Sequence, residues 1–175
     1  MVAAEILVAE EAHVLDVAAR MRPADRQEVL ASAGFTPEQA LRESMAVSVF
    51  ARVLVLGGEV AGMFGVAADV VQAPGGLVRV RDGPNGIGPA VPWAMTTDVV
   101  DRHPIEFWLA SKRILAALRG PFPVLVQRVD ARYGAALRWL ARLGFTIGPP
   151  EPWGRYGLPF HLVTLSPDIL SPEGG

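Results

Sequence analysis

Residues 130–145 read DARYGAALRWLARLGF, directly after the apolar run PVLVQRV at 123–129. Ala136, Leu137, Leu140 and Leu143 recur at helical spacing and give that segment one apolar face. Gly144 stands where a helix ends in a left-handed C-cap, and Phe145 opens a new extended run, FTIG. The unit is strand, helix, strand. An apolar strand joined to a one-faced helix buries both only by placing the helix on a sheet.

Working outward, AEILVAE at 4–10 reads as a first strand and EEAHVLDVAARM as a helix, with Ala12, Leu15 and Ala19 assigned to its buried face. Pro23 opens PADRQEVLASAG, which Gly34 ends. Thr36-Pro37 starts a third helix running to about Val49. ARVLVLGGEVAGMFGVAAD holds two apolar runs around Gly57-Gly58, the pattern of a tight β-hairpin. Gly62 and Gly65 in its second run mark close approach of another backbone. Residues 69–90 are rich in Gly and Pro and read as a long connection, with one small strand at GLVRVR.

AVPWAMTT at 90–97 is the next strand. HPIEFWLASKRILAALRG follows as a helix, with a stripe assigned to Ile105, Trp108, Leu109, Leu115 and Leu118. FTIG and FHLVTL are the last strands, joined by the loop PPEPWGRYGLP. The expectation is a single domain over residues 1–165 with a loosely ordered tail at 166–175. Its class is α/β (α+β): a mixed, mostly antiparallel sheet of about six or seven strands with helices on both faces.

Composition removes several functions. The net charge is -2 without a basic run, which argues against a nucleic-acid partner. Cysteine is absent, so thiolate chemistry, disulfides and zinc–thiolate sites are excluded. His13, His103 and His161 do not cluster, and no metal site is expected. No apolar run approaches the ~18 residues of a membrane span. Glu5, Glu10 and Glu11 do not suit a secretory leader, so the expectation is a protein without signal peptide or membrane segment.

The element order and VDARYGAALRWLARLGF resemble the GNAT (GCN5-related N-acetyltransferase) fold. The likeness implies strands that splay near Trp93–Thr97 and Val124–Val129. Three blocks, PWAMTTDVVDRHPIEFW, VDARYGAALRWLARLGF and GLPFHLVTL, are similar to GNAT-like proteins encoded by tailed phages, a group that includes the internal virion protein A of short-tailed phages. That resemblance implies virion or assembly proteins as partners. It also implies the cytoplasm of a bacterial host, then the particle, as location.

Acyl transfer from a thioester needs a held diphosphate, a base for the amine and an acid for the departing thiolate. In the family a Gln/Arg-x-x-Gly-x-Gly/Ala loop holds the diphosphate. Here the matching place reads TTDVVDRHPIEF, without glycine and with Asp98 and Asp101. GPNGIG at 83–88 has glycine spacing but precedes the strand and reads as a turn. Tyr133 stands at the family's Asn position. Leu140 stands at the position of the late-helix Tyr acid and cannot donate a proton; it is expected to pack into the core.

The remaining candidates for catalysis are His103 and Tyr133. Those for holding a cofactor are Met95, Thr96, Thr97, Arg102, His103, Arg132 and Tyr133. His161 reads as a structural hydrogen-bonder and His13 as solvent-facing. Arg128, Asp130 and Arg132 either line a cleft mouth or form a salt-bridged strand end. Trp93, Trp108 and Trp139 read as core, and Trp153 as a loop residue able to anchor a partner.

No cofactor is expected, with acetyl-CoA or another acyl-CoA as the alternative. Three functions follow: a GNAT-like virion or assembly protein without acetyltransferase activity, an N-acyltransferase with a remodelled site, and a small-molecule or peptide binding module.

Overall fold

The computed structural model describes residues 1–68, 70–73, 76–79 and 89–167. The GPNGIG turn, most of the long connection and tail residues 168–175 lie outside the described residues. Strand β1 (Ala4–Val8) leads into helices α1 (Glu11–Arg20), α2 (Pro23–Ala33) and α3 (Pro37–Val47). Strands β2 (Ser48–Leu56) and β3 (Glu59–Ala67) form the hairpin, and β4 (Val70–Ala73) pairs with β5 (Gly76–Arg79). Strand β6 (Val91–Thr96) precedes the single turn α4 (Val99–Arg102) and the long α5 (Pro104–Arg119). Strand β7 (Leu125–Asp130), helix α6 (Gly134–Arg142) and strands β8 (Thr146–Trp153) and β9 (Leu158–Leu165) complete the order.

Beside the β4-β5 pair, two larger antiparallel sheets result, ordered β1-β2-β3-β6 and β7-β9-β8. One parallel bridge, Ala90 with Leu125, joins them. There the Ala90 N–H donates to Val124 O at 3.0 Å, and Val126 N–H donates to Ala90 O at 2.9 Å. Beyond it β6 and β7 diverge, which is the expected splay of a mixed, mostly antiparallel sheet.

Local chemistry explains most elements. Gly57 and Gly58 take φ of +59° and +83°, the tight turn that L side chains resist. Thr36 and Gln39 form a reciprocal capping box on α3. Gly34 ends α2 at φ +74°, its N–H bonded to Leu30 O at 2.8 Å. A Cβ at Gly62 would stand 2.6 Å from Met95 O, and one at Gly65 would stand 2.6 Å from Phe50 O. Both glycines are therefore close-approach positions.

Helices cover both faces of the larger sheet. Val14, Val17 and Leu41, from α1 and α3, pack on Val53, Val55, Met63 and Met95. Opposite, Val99, Val100, Ala110 and Phe107 pack on Leu54, Leu56, Ala61 and Phe64. Each fully buried aliphatic side chain contributes roughly 1.5–3 kcal/mol. The second sheet packs through Leu125, Val129, Phe145, Val163 and Leu165 against α6 and the end of α5, with Ala136, Leu137, Leu140 and Leu143 on the facing side as the spacing predicts.

Several assignments are corrected. The buried side of α1 is Val14, Val17, Ala18 and, beyond its end, Met21; Ala12, Leu15 and Ala19 face out. The valine stripe carries more apolar area than the alanine-containing one and wins the sheet. The inner side of α5 carries Phe107, Ala110, Ser111, Ile114 and Leu118, whereas Ile105 and Leu109 are exposed. Helix α3 stops at Val47, because Ser48 already pairs with Ala67. PPEPW is no loop: it belongs to β8, an edge strand where proline's missing donor costs little on the open side. Trp153 therefore sits on that strand, half-buried, edge-on to Phe160 at 5.1 Å with the Arg128 guanidinium 5.4 Å from its ring.

Candidate functional site: the cleft between the splayed strands

Where β6 and β7 part, their facing backbone groups lose each other, and a buried unpaired amide is costly. Helix α2 supplies the replacements. Asp25 Oδ2 accepts from Thr96 N–H at 2.9 Å and from Thr96 Oγ1 at 2.6 Å, at the end of β6. One turn on, Glu28 Oε1 accepts from Asp130 N–H at 2.8 Å, at the end of β7. The i, i+3 spacing puts both carboxylates on one side of α2, so one helix caps both strands. Above them the Gln127 side-chain amide donates to Pro92 O at 2.7 Å.

Tyr133 completes the tie. Its hydroxyl donates to Asp25 Oδ1 at 2.8 Å and accepts from the Arg22 guanidinium. Arg22 also pairs with Asp101 at 2.7 Å, and its backbone N–H donates to Thr96 O at 3.0 Å. Burial first, and then the neighbouring Asp25 charge, raise the Tyr133 phenol well above its ordinary value. It stays neutral and works as a strut.

Glu28 keeps partial exposure as a residue, but its carboxyl head is enclosed by protein. Enclosure pushes its pKa up to about 8, helped by the nearby Asp25 and Asp130 charges and opposed by the Asp130 N–H bond. At neutral pH that carboxyl is mostly protonated.

Two cavities flank this tie. One of about 280 Å³ lies toward α5 and α6, walled by Phe64, Phe107, Ile114, Trp139, Leu140 and Phe145 among others. Phe107 and Trp139 stack in it with ring centroids 5.5 Å apart. The other, about 150 Å³, lies toward α2 and α3. Asp25, Glu28, Trp93, Ala94 and Gln127 border both. Leu140 is half-buried and forms wall rather than deep core.

The diphosphate position is closed by α4. Val99 N–H donates to Thr97 Oγ1 at 3.4 Å, Asp101 N–H to Asp98 O at 3.0 Å, and His103 N–H to Val99 O at 3.1 Å. Val100 and Arg102 likewise donate within the turn. Asp98 and Asp101 extend into solvent there. A diphosphate would find these donors taken and two carboxylates in its place, so the residues present do not fit the diphosphate of an acyl-CoA.

The predicted site residues fall into two groups. Thr96 and Tyr133 meet in the clamp. Met95 points to the other side of the sheet, in the α1–α3 core. Thr97 is buried and bonds Val60 O at 2.9 Å. Arg102 pairs with Glu59 at 2.8 Å, and Arg132 with Asp130 at 2.5 Å. His103 occupies the N-cap of α5 without a side-chain cap bond. The Asp130–Arg132 pair makes this a salt-bridged strand end, with Arg128 3.9 Å from Glu151. His161 Nδ1 donates to Gly148 O at 2.7 Å, the structural role expected. His13 is not simply solvent-facing: its Nδ1 accepts from Glu10 N–H at 3.1 Å and caps α1.

Sequence reasoning missed Arg22, Asp25 and Glu28. The available signal was a helix whose would-be inner positions carry acids: Asp25 and Val29 are both buried on α2.

Among solved structures, a Salmonella typhimurium protein assigned as an acetyltransferase and solved with acetyl-CoA is 19% identical, with 99% of each chain covered and a TM-score of 0.61. The chain has the fold of the GNAT acetyltransferases. An N-acetyltransferase from Staphylococcus aureus Mu50 is 16% identical over 94% of this chain and 98% of its own, with a TM-score of 0.64. A ribosomal-protein-alanine N-acetyltransferase from Brucella melitensis is 15% identical over 93% of this chain and 99% of its own, also at 0.64. No family model and no curated protein matches the sequence. At these identities the GNAT likeness is one of fold. Among the described residues no helix is long and apolar enough to cross a membrane, and no group of three or more His, Asp and Glu could hold a metal ion.

Proposed function

We propose that this GNAT-fold chain does not perform acyl-CoA transfer and serves as a virion-associated structural or assembly protein. The observation that carries the first half is the α4 turn, in which the backbone N–H groups of residues 99–103 already donate within the turn, behind Asp98 and Asp101. The gap between the strands supports the same reading. A ligand entering there to pair with β6 or β7 meets Thr96 and Asp130 amides already held by Asp25 and Glu28. The virion role rests on the resemblance of the three sequence blocks to phage-encoded GNAT-like proteins.

Titration of acetyl-CoA by calorimetry tests the first half. The expected result is no binding tighter than about 100 μM, roughly -5.5 kcal/mol. Tighter binding overturns it. Mass spectrometry of purified particles tests the second half, and absence from them removes the virion role.

A second reading has one observation in its favour. Glu28 borders both cavities and has a pKa of about 8, a value suited to accepting a proton from an amine. On that reading the chain is an N-acyltransferase with a remodelled site, and turnover rises with pH through about 8.

A further inference from the structure

The two sheets end in very different outer strands. The edge strand β8 contains Pro149, Pro150 and Pro152 and a register shift between Ile147 and Pro150. Prolines and irregular register are how an edge is made unfit for pairing. The edge strand β1 has neither. Its five residues pair with β2 in unbroken register, and it carries a single charge, Glu5.

The hydrogen-bond parity of β1 follows from its ends. Gly57 N–H donates to Ala3 O at 2.9 Å and Ala9 N–H donates to Ala51 O at 3.4 Å. In an antiparallel ladder alternate residues bond the same neighbour, so Glu5 and Leu7 face β2. The N–H and C=O groups of Ala4, Ile6 and Val8 therefore point outward. The side chains add apolar surface on both faces of the strand, Ile6 and Val8 on one side and Leu7 on the other, all exposed at 41–63%. Val2 N–H donates to Glu106 Oε1 at 3.1 Å, which brings the start of α5 beside this edge, and Ile105 there is 64% exposed.

We propose that a second copy of this chain pairs antiparallel along β1, making one continuous sheet across a two-fold axis at Ile6. The strand is self-complementary in that register. Ile6 meets Ile6, Ala4 meets Val8, and each such pair exchanges two bonds, giving about six backbone hydrogen bonds. Each Glu5 stands opposite a Leu7 and not opposite the other Glu5, so no like charges meet directly across the seam.

Sedimentation velocity on the full chain up to about 200 μM tests the pairing, alongside Ile6→Pro and Ile6→Lys. The Ile6 N–H points away from β2, so Ile6→Pro removes a dimer bond while leaving the β1–β2 ladder its donors. The expected result is a concentration-dependent dimer whose dissociation constant rises at least about tenfold in both variants, a loss of 1.4 kcal/mol or more. Hydrogen exchange should show the Ala4, Ile6 and Val8 amides gaining protection with concentration while Glu5 and Leu7 do not change. A monomer at the highest concentration, or a dimer untouched by Ile6→Lys, overturns the proposal. If Ile6→Pro fails to fold, Ile6→Lys and the exchange pattern decide it.

Discussion

Replacing Glu28 by Gln should make the protein more stable, increasingly so as pH rises. The enclosed carboxyl has a pKa of about 8 against 4.5 for the free group. A raised folded-state pKa gives a contribution that is fully present below about 4.5 and lost as pH climbs through about 8. Each unit corresponds to about 1.4 kcal/mol, so wild type forfeits about 3 kcal/mol by pH 7 and approaches 5 above pH 9. Gln cannot ionise in either state. Its oxygen can still accept from Asp130 N–H, and its N–H₂ stands in for the acid O–H. Urea unfolding of both proteins from pH 4 to 9 measures the effect. With a slope near 2 kcal/mol/M, the midpoint of the Gln variant should sit about 1.5 M higher at pH 7, about 2 M higher at pH 9 and level with wild type at pH 4. Midpoints separated by a constant amount at every pH would refute the assigned ionisation. A Gln variant weaker than wild type at pH 7 would mean that the fold favours the carboxylate over the acid there, contrary to a pKa raised to about 8.

Two further substitutions probe the same region. Tyr133→Phe removes the strut between Asp25 and Arg22 and should cost about 1–3 kcal/mol by thermal or urea unfolding; a neutral result would mean that the clamp holds without it. Gly65→Ala places a methyl 2.6 Å from Phe50 O and 2.8 Å from the Trp93 ring. It should lower the unfolding free energy by about 1–3 kcal/mol, and no loss would show that β2 and β6 can yield there.

The fold was largely legible because its signals are local. Gly57-Gly58, Thr36-Pro37, Gly34 and the face of α6 each act within a few residues, and each stands where the sequence indicates. Helix phases were harder. In α1 and α5 more than one apolar stripe is available, and the choice between them depends on which side meets the sheet. PPEPW looked like a loop because an edge strand tolerates proline, and being an edge is a property of the whole sheet. The site was half legible. Leu140, Tyr133 and the glycine-free loop could be read by position. Asp25 and Glu28 could not, because their roles come from amides orphaned about 70 and 100 positions away by the splay.

That splay has a mechanical consequence. Among the described residues the two sheets share a backbone seam only at Ala90 and Leu125; from there on side chains do the fastening. Such a molecule should open along the seam before it unfolds, as two cooperative units that come apart while each keeps its own ladder. The amides of Thr96 and Asp130 would then exchange together, at a free energy below that of global unfolding. Helix α2, which reaches both strand ends through Asp25 and Glu28, would be the latch whose release sets that energy.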